Sequence, residues 1–294
     1  MAVTFRQLRV FEATARLGRL TAAADEQALS QSAASQSLKE LESALSYQLF
    51  NRCGRELLMS DQGKDVLPRV RQILDLVEGL KSSASTEISG HLRVVASVTI
   101  GSYLLPHLMA KFISRYPDVE PDLKVTNTRH VIEALEKGQA HVGMIEGPAL
   151  HNQLDITPWQ QDRLEIFCNR AHPLAEIGRL ELDQIPQQRW VLREEGSGTR
   201  AIFDQAILRV DSRINLALAL NRQEAIKQAV KAGLGIGCLS RLSIAEEVAA
   251  GDLVILKTTL DLTRRMSLVT QPAGQNGVIA LSFVDFLQQH GLFR

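Results

Sequence analysis

Aromatic residues are scarce in this 294-residue chain, at 5%. That argues against a carbohydrate-binding groove or a stacking platform for single-stranded nucleic acid. Net charge is lacking too: 33 Lys and Arg balance 33 Asp and Glu. No global field marks a nucleic-acid partner, so any such partner must be recognised through local placement of charge. The three cysteines, Cys53, Cys168 and Cys238, are far apart and form no CxxC pair. Neither a zinc knuckle nor a disulfide framework is indicated, and isolated thiols fit a reducing cytoplasm. The opening MAVTFRQLRVF has no long apolar stretch of the secretory kind. No run of about 18 apolar residues is present to cross a membrane. The expectation is a soluble cytoplasmic protein of about two domains, with a hydrophobic share of 45% that is ordinary for a globular chain.

What is present is sharply organised. Phe5, Leu8, Phe11 and Ala15 recur at helical spacing, with Thr4 placed to cap the start and Gly18 to end it. Thr21 is expected to open a second helix, and a break at Leu29-Ser30 a third, running to about Leu45. LFNRCGRELLMS then reads as a small hairpin around Cys53-Gly54. Three short helices and a hairpin make a winged helix-turn-helix, assigned to residues 1–60. Its charge does not advertise DNA: seven Lys or Arg face six acids. The third helix is more specific. At about 100° per residue, Ser35, Gln36 and Lys39 fall within about 60° of Ser32, while Ala34, Leu38, Leu41 and Leu45 lie on the opposite side. Hydroxyls, one amide and one cation suit base edges and phosphates in a major groove. Gln31 at the helix start and Arg52 and Arg55 in the hairpin complete the expected DNA-binding set. A solvated face of an amphipathic helix is the plainer reading of the same residues.

Residues 61–90 form a linker. Val66, Val70, Ile73, Val77 and Leu80 step by 4, 3, 4 and 3, the spacing of a heptad seam, and are assigned to dimerisation. The Ser-rich segment 81–91, KSSASTEISGH, reads as a hinge. From residue 91 onward strands alternate with helices, which argues an α/β domain with largely parallel sheets, divided into two lobes. Such folds bind ligands beyond the carboxyl ends of their strands. Ser97, Thr99, Gly101 and Ser102 follow one strand and open a helix. Gly196-Ser197-Gly198-Thr199-Arg200 follow another and do the same. Both turns aim free N–H groups and hydroxyls outward, an arrangement that binds anions. Asn127 and Thr128 are placed on the rim, and Arg200 and Arg193 supply positive charge. Glu146, after a third strand, stands against an anion unless one partner is protonated, holds Arg200, or lies outside the pocket.

Residues 5 to 63 resemble the N-terminal signature of the LysR-type transcriptional regulators. They supply the small-residue run Ala22-Ala23-Ala24, then Leu29-Ser30-Gln31, Leu41-Glu42, Leu49-Phe50, Arg52 and Gly63. Two positions depart from the family pattern: Ser32 stands where proline is common and Gln36 where arginine is common. The resemblance implies an effector-binding domain similar to periplasmic binding proteins, with lobe I at 91–161 plus 267–294 and lobe II at 162–266. It also implies a homodimer or homotetramer on paired half-sites of double-stranded DNA, acting with RNA polymerase. IEGP, REEGSGTR and SVTIGSYLLP look like a subgroup tied to sulfur-oxyanion or redox metabolism, so sulfite or a related anion is the expected effector, with no other cofactor. The competing reading is a solute-binding protein with an unrelated N-terminal extension. Enzyme chemistry is not expected. Glu195 breaks a GxSxG elbow around Ser197, the seven histidines form no HExxH pattern, and Gly233, Gly235 and Gly237 do not open a helix. Cys168 and Cys238 are expected to be buried apolar groups and not redox sensors.

Overall fold

The computed structural model describes residues 2–53, 56–82, 88–149 and 151–291. The chain divides into two compact units, the first of residues up to Ile88 with Lys137–Gln139, the second of Ser89–Glu136 with the residues from Ala140 on.

The first unit opens with α1 (Phe5–Leu17), where Thr4 and Gln7 form a reciprocal capping box and Gly18 ends the helix with a left-handed φ of 71°. Next come α2 (Leu20–Glu26) and α3 (Gln31–Leu45). α2 starts one residue before Thr21, and no side chain caps it. It is held instead by packing: Ala24 meets Val10 and Ala34 where the three helices cross. Only a small side chain fits such a crossing, which accounts for the alanine run. Ser30 caps α3 by accepting the Ala33 N–H at 3.2 Å. The hairpin follows as antiparallel β1 (Phe50–Cys53) and β2 (Glu56–Met59). Phe11 and Phe50 meet edge to face, with centroids 5.7 Å apart, in a core shared with Leu8, Leu38, Leu41 and Leu49. Helix α4 (Asp61–Ser82) closes the unit.

The second unit is built on a mixed sheet. Its elements are β3 (Gly90–Ser97), a π-helical turn at Ile100–Leu104, α5 (Leu105–Arg115), β4 (Val119–Thr126), α6 (Thr128–Glu136), β5 (Val142–Glu146) and β6 (Asp155–Asn169). They continue with α7 (Pro173–Ile177), β7 (Arg189–Arg193), α8 (Gly198–Arg209), β8 (Asn215–Leu220), α9 (Gln223–Lys231) and β9 (Ile236–Ser240). Last come α10 (Arg241–Ala250), β10 (Leu253–Leu256), β11 (Thr263–Thr270) and α11 (Val278–Gln289). Strand order is β4-β3-β5-β11-β6-β9-β7-β8, with β10 also on β6.

The expectation of largely parallel sheets needs correction. β3 runs parallel to β4 and β5, and β7 to β8 and β9, but β6 and β11 pair antiparallel with their neighbours. Parallel neighbours need a crossover element, and β6 and β11 lack one because they carry the chain between the two halves. β6 pairs with β11 up to Arg163, then with β9 and β10 from Leu164 on. Thr263–Met266 pair with Arg163–Gln160, so β11 and β6 run together across the expected lobe boundary. Val95, Val131, Leu135 and Ile145 form a core in the first half, and Trp190, Phe203 and Leu164 one in the second.

Candidate functional site

On α3 the structure exposes Gln31, Ser32, Gln36 and Lys39, leaves Ser35 half-buried, and buries Ala34, Leu38 and Leu41. The polar face is therefore outward because the leucines of the other face complete the core. The backbone of Arg52 lies in β1, but its side chain and all of Arg55 fall outside the described residues.

Three details fix the hairpin to α3. Glu42 Oε1 accepts the Leu49 N–H at 2.8 Å and the Phe50 N–H at 3.3 Å. Ser60 Oγ donates to the Gln48 carbonyl at 2.6 Å and accepts the Gly63 N–H at 2.9 Å. A Cβ on Gly63 would lie 2.3 Å from the Leu49 carbonyl oxygen, so no other residue fits there. The motif positions Glu42, Leu49, Phe50 and Gly63 thus form one joint. Replacing Glu42 by Ala is expected to cost about 1–3 kcal/mol by stranding two amides. Faster hydrogen exchange at Leu49 and Phe50 would register the loss, and unchanged protection there would contradict it.

The expected seam on α4 is partly overturned. Val70 is buried and Val66 half-buried against Leu67 and the core of their own unit. Their heptad spacing therefore reports local packing. Ile73 is 43% exposed and Leu76 48%, with Val77 half-buried beside them. The Leu80 side chain and residues 83–87 of the expected hinge are outside the described residues.

In the second unit, β5, β6, β11 and α8 converge on one buried guanidinium, that of Arg264. Its side chain is wholly buried, as are those of its partners Glu146 and Asp162, at 1% and 5% exposure. Arg264 Nε donates to Asp162 Oδ2 at 2.7 Å, Nη1 to Thr199 Oγ1 at 2.8 Å and Nη2 to Thr99 Oγ1 at 3.2 Å. Nη1 also lies 3.1 Å from Glu146 Oε1. That oxygen accepts from Thr99 at 3.1 Å and from Thr199 at 3.2 Å. Gln223 Nε2 donates to Thr99 Oγ1 at 2.9 Å, and Ser240 Oγ to Asp162 Oδ1 at 3.0 Å. Thr99 comes from the first half, and Thr199, Gln223 and Ser240 from the second. One guanidinium thus faces two carboxyl groups.

Several buried polar atoms of this unit have no hydrogen-bond partner among the described residues, Ser97 Oγ, Ser197 Oγ, Glu146 Oε2 and Arg193 Nη1 among them. Ser197 stands at the N-cap of α8 without capping it. Buried polar atoms are almost always paired, so each of these is an exception to the rule. Gly198 makes a close backbone approach possible: a Cβ there would lie 1.8 Å from the Glu146 carbonyl oxygen. Thr128 Oγ1 donates to the same carbonyl at 3.2 Å.

The two units match two family models. Residues 5–64 match the bacterial regulatory helix-turn-helix protein, lysR family, and residues 85–292 match the LysR substrate binding domain. The chain belongs to the LysR family. YeiE of Escherichia coli (strain K12), described as an uncharacterized HTH-type transcriptional regulator, is 39% identical to this LysR-family chain over 253 residues, covering 86% of each. The HTH-type transcriptional activator CmpR of Synechocystis is 30% identical over 291 residues, covering 98% of this chain and 95% of CmpR. Among solved structures, the Synechocystis CcmR regulatory domain in complex with 2-PG superposes with a TM-score of 0.64 at 29% identity. It covers 69% of this chain and 98% of that one. This LysR regulator is therefore a DNA-binding transcriptional regulator with an effector-binding domain, and its relatives are regulators and not enzymes.

Of the expected effector residues, the structure joins Thr99, Thr199 and Glu146 around Arg264, with Thr128 and Gly198 at the Glu146 carbonyl and Ser97 and Ser197 buried. Others have different work. Arg200 pairs with Asp204 at 2.8 Å and donates to the Arg193 carbonyl, so it is not the cluster's cation. Arg193 pairs with Glu194 at 2.8 Å. Burial raises the Glu194 carboxyl, but Arg193 and then Asn127 more than offset this and hold it below the usual carboxylate range. Asn127 is committed to Glu194 and to the His130 N–H. Gly101 is close-packed on Val125, and Ser102 is exposed. Glu146 holds Arg264 and not Arg200. Sequence reasoning in this LysR regulator missed Arg264, Asp162 and Gln223. A signal was available for Arg264: it occupies an inward position of β11 between Leu262 and Met266. Cys168 and Cys238 are buried, and burial raises both thiols, Cys168 to about 11. Among the described residues, no helix is long and apolar enough to cross a membrane.

Proposed function

We propose that this LysR regulator reads paired half-sites of double-stranded DNA in the cytoplasm, as a homodimer or homotetramer acting with RNA polymerase. A small anion between the lobes, sulfite or a related oxyanion that keeps a proton, controls it. Gln31, Ser32, Ser35, Gln36 and Lys39 on α3, with Arg52 and Arg55 of the hairpin, make the DNA contacts. Ile73, Val77 and Leu80 lie on the dimer face of α4, and Leu76 joins them. The observation that carries the effector reading is that the buried hydroxyls of Ser97 and Ser197, each two residues from a threonine of the Arg264 cluster, and Glu146 Oε2 have no hydrogen-bond partner among the described residues. The hydroxyls can donate to an oxyanion, and Oε2 can accept from one that retains a hydrogen. The related CcmR domain in complex with 2-PG supports a small-molecule role for this domain. Occupancy shifts the assembly only through unequal affinity for two of its states.

The DNA half is tested by salt titration. Wild-type affinity should fall steeply with salt, and Lys39→Gln should reduce the log–log slope by about 1. The reading of α3 fails if Lys39→Gln and Ser35→Ala both bind as the wild type does.

A further inference from the structure

A hydrogen-bond chain runs from the start of α1 to the polar face of α3. The Thr4 N–H donates to Gln7 Oε1 at 2.9 Å. Because that oxygen is engaged by the cap, the Gln7 amide must turn its nitrogen the other way, and Nε2 donates to Glu40 Oε2 at 3.1 Å. Glu40 Oε1 in turn accepts from Gln36 Nε2 at 2.9 Å. Gln7 is buried at 7% exposure, whereas Gln36 is exposed. A rigid, packed side chain on one helix therefore sets the direction of a carboxylate on another, and the carboxylate sets the direction of a surface amide.

We propose that Glu40, oriented by Gln7, is a positioning residue that makes Gln36 a reader of adenine. This rests on α3 being the reading helix. A primary amide has two N–H donors and one carbonyl acceptor. With one N–H given to Glu40, Gln36 keeps one donor and one acceptor for DNA. Adenine presents one acceptor, N7, and one donor, the N6 amino group, so the match is complete. Guanine presents two acceptors, N7 and O6, and the held amide has only one donor left for them. The chain thereby fixes a rotamer that a solvated glutamine would otherwise sample freely, and removes the donor pair that would accept guanine.

The experiment is selection by the full-length protein from randomised double-stranded DNA, followed by binding to single-base variants of the selected site. Wild type should show, at one position in each half-site, an adenine preference of roughly tenfold or more that Gln36→Ala abolishes. Glu40→Ala should reduce that preference to below about threefold and leave the other positions unchanged. It should also raise affinity for every sequence alike, because a negative charge leaves the DNA face. Gln7→Met should lower the same single preference without the uniform gain, since no charge changes. A merely structural role for Glu40 or Gln7 would weaken all positions together. The proposal is overturned if Glu40→Ala keeps the full preference, or if no position depends on Gln36. Should Lys39→Gln and Ser35→Ala weaken binding while Glu40→Ala leaves the preference intact, the chain fails and the assignment of α3 stands. Should none of these variants change binding, the assignment of α3 itself fails.

Discussion

Arg264→Met is expected to destabilise the effector domain by about 3–5 kcal/mol, because it strands two buried carboxylates without their shared cation. Glu146 and Asp162 are at most 5% exposed, so water cannot replace the guanidinium. Thr99 and Thr199 would also lose the donors they accept from Arg264. For a domain of this size the loss corresponds to a fall in melting temperature on the order of 10 °C, read by calorimetry. Arg264→Lys should fall between the two: it keeps the charge but cannot fork toward Asp162, Thr199 and Thr99 together. A melting temperature within about 2 °C of wild type for Arg264→Met would remove Arg264 from the centre of the domain. The same substitution should also blunt any ligand response, since Arg264 is bonded to hydroxyls from both lobes.

Glu146→Gln carries the second large effect, on selectivity. In the wild type, Oε1 of Glu146 is saturated by Arg264, Thr99 and Thr199, and Oε2 has no partner among the described residues. An oxyanion that keeps a proton near neutral pH, such as sulfite or phosphate, can donate to Oε2. Sulfate has no proton to give and meets a like charge, a juxtaposition that costs several kcal/mol. Wild type should accordingly be stabilised against heat by sulfite and not by sulfate. Glu146→Gln should bind sulfate on the order of a hundredfold more tightly, with a matching concentration-dependent rise in melting temperature. Equal stabilisation of the wild type by sulfate, or stabilisation by carboxylates alone, would sink this reading of the pocket.

The outward polar face of α3 was legible from spacing alone, because a helix turns every residue by a fixed angle and Leu38 and Leu41 leave the opposite side only one direction to point. The caps at Thr4 and Gly18 were legible for a similar reason: each is satisfied by a backbone group within four residues. The α4 seam misled because spacing reports an apolar stripe but not what covers it. Val66 and Val70 found cover in Leu67 and the core of their own unit. The Arg264 cluster was half legible. Ser97, Thr99, Ser197 and Thr199 sit at strand-to-helix turns that local sequence shows.

The sequence by itself determined the family, the two-part architecture, the outward face of α3 and the two strand-to-helix turns that bring Thr99 and Thr199 to one cluster. Each of these is written in local periodicity or in a contiguous motif. Only the tertiary structure decided that Arg264, and not Arg200, is the cation that those threonines and Glu146 surround. Arg264 meets Asp162 across 102 residues and Thr99 across 165. Arg200 is taken by Asp204, one helical turn away. The local partner was visible on one helix, while the distant ones came together only when β6 and β11 paired antiparallel between the halves.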